Sequence, residues 1–101
     1  MLPIDDEHAP LYTVGQVADM LAVQPAFLRR LDTEEVVQPA RSAGGQRRYT
    51  RSELAALQHV TTMVDEGHTL LGIKRILELE AEITALHREI DALKASPPRS
   101  R

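Results

Sequence analysis

Thr13-Val14-Gly15-Gln16-Val17-Ala18-Asp19-Met20-Leu21-Ala22-Val23-Gln24-Pro25-Ala26-Phe27-Leu28-Arg29-Arg30-Leu31 is the stretch on which the fold turns. Thr13 followed by Gln16 is a capping box: hydroxyl and amide satisfy backbone N–H groups that the first helical turn leaves free. Val14, Val17, Ala18, Leu21 and Ala22 then recur at helical spacing, so one face is apolar. Pro25 suits the first turn of a second helix, where its missing N–H would be unpaired anyway. Phe27, Leu28 and Leu31 give that helix its apolar face, and only Ala22, Val23 and Gln24 separate the two. A helix, a tight turn and a second short helix make a helix-turn-helix candidate.

Toward the C-terminus the pattern changes. Val36-Val37-Gln38-Pro39 and Gln46-Arg47-Arg48-Tyr49 are short β-prone pieces on either side of Arg41-Ser42-Ala43-Gly44-Gly45. The paired glycines allow positive φ at a loop tip, which predicts a β-hairpin. A hairpin behind a helix-turn-helix is a winged arrangement. Thr50 with Glu53 is a second capping box, opening a helix with Leu54, Leu57, Val60, Thr61 and Val64 on one face. Asp65-Glu66-Gly67-His68 breaks it, and Thr69 caps a short fourth helix carrying Leu70, Ile73, Ile76 and Leu77.

The most regular segment follows. Ile76, Leu79, Ile83, Leu86, Ile90 and Leu93 are spaced 3-4-3-4-3, the alternation of a coiled-coil seam. The seam spans under three heptads, too short to be stable alone. It packs on a second copy of itself or folds back on its own domain; the narrow two-position stripe favours the coiled coil. Ser96-Pro97-Pro98 ends it. The expected organisation is a flexible arm over 1–11, a winged helix-turn-helix domain over 12–77, a coiled-coil dimerisation helix over 78–94 and a disordered tail over 95–101.

The chain has 101 residues, which is room for one small domain. It has no cysteine, which excludes disulfide scaffolds, thiol nucleophiles and zinc fingers. No apolar run reaches the roughly 18 residues of a membrane span, and Met1-Leu2-Pro3-Ile4-Asp5-Asp6-Glu7 lacks the regions of a signal peptide. A cytoplasmic protein is expected. The formal charge of −3 conceals a segregated pattern. Ala40 to Arg51 holds four arginines (Arg41, Arg47, Arg48, Arg51) and no acid, with Arg29 and Arg30 just upstream. Acids gather instead at Asp5 to Glu7 and from Glu78 to Asp91. A local positive field therefore survives a negative total.

Tyr12-Thr13-Val14, Leu28-Arg29, Asp32, Val36-Val37-Gln38-Pro39 with Arg41-Ser42, and Gly45-Gln46-Arg47-Arg48-Tyr49 follow in order at the spacing of the MerR family of bacterial transcription regulators. From Tyr12 to Leu77 the chain resembles that family. Each piece alone is weak; the ordered set is specific. Departures lie on the second helix and its exits: Ala22 and Glu35 stand where glycine is common, Phe27 where Thr is usual, and Arg30-Leu31 where aromatics are frequent. They bear on the DNA sequence read rather than on the fold. Asp65-Glu66-Gly67 and Gly72 to Leu79 look most like the actinobacterial heat-shock repressor branch, which controls chaperone operons.

The resemblance implies a mainly α, winged helix-turn-helix protein on double-stranded DNA, with long helices pairing as an antiparallel coiled coil in a homodimer. Arg29 matches the family's second-helix arginine, expected on the backbone near the major groove. Gln24, Ala26 and Arg30 sit at or near the start of the recognition helix, where side chains meet bases. Gln can pair with adenine and Arg with guanine. Arg30 is the expected base reader, or else a solvated helix residue. Arg41, Arg47 and Arg48 are expected at phosphates or the minor groove, and Gly45 with Gly44 lets the backbone come close. Tyr49 either bonds a phosphate or packs the wing. Tyr12 and Thr13 are further phosphate candidates, though capping alone accounts for Thr13.

Other chemistry is thin. His8, His59, His68 and His87 show no paired ligand spacing, and Glu78-Glu80-Glu82 alternates as a solvated helix face does. No P-loop, dinucleotide fingerprint or nucleophile–base constellation occurs, so neither enzyme, metal nor cofactor is expected. About seven residues follow Lys94, so no separate effector domain is expected. A dimeric repressor on a pseudo-palindromic operator is the leading expectation, with RNA polymerase or a chaperone as further contacts. An excisionase-like DNA-bending factor and a coiled-coil adaptor are the alternatives.

Overall fold

The computed structural model describes residues 8–95. Its elements are α1 (Val14–Leu21), α2 (Pro25–Thr33), β1 (Ala40–Arg41), β2 (Arg47–Arg48), α3 (Arg51–Asp65) and α4 (Leu70–Ala95). The architecture is mainly α, with a single two-stranded antiparallel hairpin among the described residues.

Both capping boxes are formed. The Gln16 N–H donates to Thr13 Oγ1 at 3.1 Å while the Thr13 N–H donates to Gln16 Oε1 at 2.8 Å. At α3 the Glu53 N–H reaches Thr50 Oγ1 at 3.0 Å and the Thr50 N–H reaches Glu53 Oε1 at 2.9 Å. The same carboxylate oxygen also accepts from the Ala40 N–H at 3.3 Å, tying the hairpin to α3. One residue thus caps a helix and anchors a strand.

The turns that end α1 and α2 share a left-handed residue. Ala22 has φ 55° and Glu35 φ 58°. Each lets the following N–H fold back on the last helical turn: Val23 onto the Ala18 carbonyl at 3.0 Å, Val36 onto that of Leu31 at 2.8 Å. Neither residue is glycine, so both turns carry the steric cost of a Cβ in that region, about 1–2 kcal/mol each.

Val17, Leu28, Leu31, Tyr49, Leu57, Val60 and Ile73 are fully buried and bring α1, α2, the hairpin end, α3 and the start of α4 into one core. Two details of the helix faces differ from their periodicity. Met63 is buried on α3, while Val64 is 38% exposed at its end. Val36 to Pro39 is not strand: Val37 turns into the core, Pro39 has no N–H to give a ladder, and pairing begins only at Ala40. The segment expected as a free arm is anchored at its end, since Ala9 is buried and the Leu11 N–H donates to the Tyr49 carbonyl at 3.1 Å. The rest of that arm, and the tail from Ser96, lie outside the described residues.

The expected short fourth helix and the seam are one continuous element of 26 residues. Thr69 starts it, accepting the Gly72 N–H at 3.1 Å, and nothing from Leu70 to Ala95 interrupts it. Ile73 is its only fully buried residue, and every residue from Glu78 to Ala95 is exposed. His59 on α3 provides a tether, with Nε2 3.0 Å from both carboxylate oxygens of Glu80. Beyond it the helix is exposed as far as Ala95. The radius of gyration, 17.1 Å, exceeds the roughly 13 Å of a compact chain of this length.

Candidate nucleic-acid interface

The exposed side of α2 and the hairpin converge on a cleft of about 480 Å³. Arg29, Asp32 and Thr33 line it from the helix, Arg47 and Tyr49 from the hairpin, and Gln38 from the connection between them. The chain folds this way because Leu28 and Leu31 are drawn into the core, which turns Arg29, Arg30 and Thr33 outward. Tyr49 does the same for the hairpin. It is 1% exposed, and its backbone bridges Tyr12 in both directions, at 3.0 Å and 2.7 Å. Its burial aligns the preceding strand against α2.

Arg29 is exposed and makes no hydrogen bond or ion pair among the described residues. Its charge is available. Four arginines of α2 and the hairpin region are engaged within the chain. Arg30 Nε meets Glu34 Oε2 at 2.6 Å, an exposed i,i+4 pair that water and salt weaken readily. Arg41 Nη1 donates to the Gly45 carbonyl at 3.0 Å, closing the loop in which Gly45 adopts φ 80°. Arg48 Nη2 donates to Gln46 Oε1 at 3.2 Å. Arg47 is paired with Asp32 across the cleft through one terminal nitrogen. The acid-free run from Ala40 to Arg51 therefore has carboxylates against it in space, supplied by Asp32 and Glu53.

Burial pushes the Tyr49 phenol from its ordinary value near 10 up to about 12, helped by the Asp32 and Glu53 carboxylates and opposed by Arg47. The hydroxyl is neutral under ordinary conditions. Thr13 spends its oxygen on the cap, leaving its O–H free to donate. Gln24 and Ala26 are exposed at the start of α2, and the Gln24 side chain makes no cap bond. Gln24 borders a different feature, an apolar hollow of about 240 Å³ with Val23, Phe27, Thr61, Val64 and Asp65. The cleft thus brings Arg29, Arg47 and Tyr49 together and leaves Gln24 apart. Thr33, Gln38 and the partner role of Asp32 were not read from the sequence. Asp32 and Arg47 stand 15 positions apart, and no local pattern joins them.

Along α4, Leu79, Ile83, Leu86, Ile90 and Leu93 are 40%, 52%, 55%, 46% and 75% exposed. Ile76, the first seam position, packs on the core instead. No helix among the described residues is long and apolar enough to cross a membrane, and no metal-binding group of His, Asp and Glu occurs among them.

A helix-turn-helix, a short β-hairpin beside its second helix and a long projecting helix define a class of regulatory architecture. The profile described as "MerR HTH family regulatory protein" matches residues 12–80, and the chain belongs to that family. It is 36% identical over 91 residues to the putative heat shock protein HspR of Streptomyces coelicolor, covering 89% of this chain and 60% of that protein. The chain therefore spans about 60% of that relative's length. Among solved structures, a MerR-family transcriptional regulator from Bacillus cereus superposes with a TM-score of 0.62 at 24% identity, over 83% of this chain and 67% of that one. HiNmlR, described as a MerR family regulator lacking the sensor domain, bound to promoter DNA, gives 0.61 at 24% identity, over 82% and 84%. These likenesses establish the fold.

Proposed function

We propose that this chain is a sequence-specific DNA-binding repressor of transcription that acts as a homodimer on a pseudo-palindromic operator. The observation that carries the reading is the unpaired Arg29 on the exposed side of α2, facing the same cleft as the hairpin's Arg47. DNA affinity comes mainly from neutralised phosphates, and specificity from base edges reached by the recognition helix. Here α2 presents Gln24, Ala26 and Arg30 for the major groove. Arg29 and the hairpin cations Arg41, Arg47 and Arg48 take flanking phosphates, with Gly45 at the close approach. Tyr12 and Thr13 hold the far edge. Tyr49 serves by packing the hairpin end into the core.

The bare apolar face of α4 supports the dimer. A fully buried Leu or Ile stabilises by about 1.5–3 kcal/mol relative to an exposed one, and a second copy offers the same five residues in return. Antiparallel pairing of two such helices sets two heads at the ends of one rod, a geometry that an inverted-repeat site mirrors. Likeness to the putative heat shock protein of Streptomyces coelicolor supports a stress-response role, and the sign of regulation rests on the resemblance of Asp65-Glu66-Gly67 and Gly72 to Leu79 to the heat-shock repressor branch.

Selection of genomic fragments by the purified chain at physiological salt tests this. Enrichment of one inverted-repeat motif is expected, and replacing both Arg47 and Arg48 by Ala should lower affinity for it by about a hundredfold, two charge-assisted contacts, without altering the dimer. Enrichment of direct repeats, or of flexible sequence without a motif, would point instead to a DNA-bending factor. No enrichment would refute DNA binding as the function.

A further inference from the structure

The cleft between α2 and the hairpin holds an acid where a phosphate-binding surface would be expected to exclude one. Asp32 is largely buried, its side chain 16% exposed, and it faces Arg47, whose side chain is 48% exposed. Gln38 Nε2 lies 3.4 Å from the Asp32 carbonyl oxygen and 3.5 Å from its Oδ1, which fixes the residue from the other side at the limit of hydrogen bonding. Asp32 is therefore the rigid member of the pair and Arg47 the mobile one, carried on a strand of two residues.

Two outcomes can be weighed when a phosphate enters. If the phosphate pulled Arg47 away, a largely buried carboxylate would lose its main partner and be left uncompensated. If Arg47 stays, only one of its five N–H groups is committed, because the contact uses a single terminal nitrogen. The remaining donors of the planar guanidinium, on a side chain 48% exposed, are left for an incoming group. The second outcome costs less. It also spares the ordering of a long, rotamer-rich side chain at the moment of binding.

We propose that Asp32 is a positioning residue for DNA recognition: it clamps Arg47 opposite Arg29, so that the two guanidiniums form a preformed seat for one backbone phosphate. This rests on the DNA-binding reading above and adds to it how register is set. A phosphate contact carries no sequence information itself, but an oriented one fixes how the recognition helix meets the bases. A free Arg47 would bind any phosphate within reach. A clamped one accepts only the phosphate that α2 has already placed beside Arg29. Asp32 thereby exchanges general affinity for discrimination.

The test compares affinity for the fragment most enriched by the genomic selection with affinity for a random-sequence duplex of equal length. Asp32→Asn keeps the shape and the Gln38 contacts but removes the charge that holds Arg47. The ratio of the two affinities should fall by about tenfold, the worth of one oriented charge-assisted hydrogen bond. The added positive charge acts on both duplexes alike and cancels in the ratio. In an Arg47→Ala background the same substitution should leave the ratio unchanged. Arg47→Lys, which keeps a cation beside Asp32, should lower the ratio by itself because the planar fork is lost. An unchanged or higher ratio in Asp32→Asn overturns the proposal, as does an equal fall with and without Arg47. Wild-type protein that enriches no fragment would instead defeat the DNA reading itself, before any variant is made.

Discussion

The head, from Tyr12 to Leu77, and the outer half of α4, from Glu78 to Ala95, obey opposite rules of burial. The head hides seven large side chains almost completely behind a core shared by all its elements. The outer helix buries nothing, although its apolar positions are as regular as any in the chain. A helix stripe of that kind exists to be covered. The head satisfies its own hydrophobic residues within one chain, whereas the outer helix leaves its apolar stripe exposed. His59 and Glu80 join the two regions, holding the base of the rod on α3.

That contrast predicts how each region responds to damage. The largest effect belongs to the core. Leu57→Ala should destabilise the head by about 2–5 kcal/mol, read from chemical denaturation at several protein concentrations. The loss should not depend on concentration, because Leu57 makes its contacts within one chain. A loss that vanished at high concentration would mean that the head, too, leans on the second copy.

Alkaline titration sharpens the same point at one residue. Burial holds the Tyr49 phenol neutral up to about 12, whereas in the unfolded chain it ionises near 10. The folded state therefore keeps its proton longer, so the associated stability is present below pH 10 and is lost as pH rises toward 12. The shift corresponds to about 2–3 kcal/mol. In a Tyr12→Phe background, near-ultraviolet absorbance should show the remaining tyrosine ionising together with unfolding. Ionisation near pH 10 in a chain that stays folded would contradict the buried placement.

The smallest effect lies in a turn. Glu35 adopts φ 58° with only a weak pairing to Lys74 at 3.9 Å. Glu35→Gly removes the clash of a Cβ in that region and should stabilise the head by about 1 kcal/mol, a rise of roughly 4–8 °C in thermal midpoint. A fall in the midpoint would show that the ion pair outweighs the strain. DNA selectivity should be untouched, since the substitution leaves the cleft intact.

Features whose causes are local in sequence were legible before the structure. The boxes Thr13–Gln16 and Thr50–Glu53 span three residues each, and the helix-turn-helix follows from them with Pro25. Periodicity alone marked Leu79 to Leu93 as a stripe. Contacts closed by the fold were not legible. The acid-free stretch from Ala40 to Arg51 suggested four free cations, yet Arg47 finds Asp32 on a different element. Val36 to Pro39 has strand composition, but the core claims Val37 before any ladder can form. For the site, residue types indicated that arginines face DNA; which one stands free and which is clamped depends on how α2 meets the hairpin.

On the proposed reading the outer helix needs a second copy and the head does not. Sedimentation equilibrium of the wild-type chain and of Ile83→Asp with Leu86→Asp tests it most directly. The wild-type mass should be twice the 11.3 kDa of one chain. The double variant should sediment as a monomer whose head melts as before. A wild-type monomer at micromolar concentration, or a variant that remains dimeric, would contradict the account.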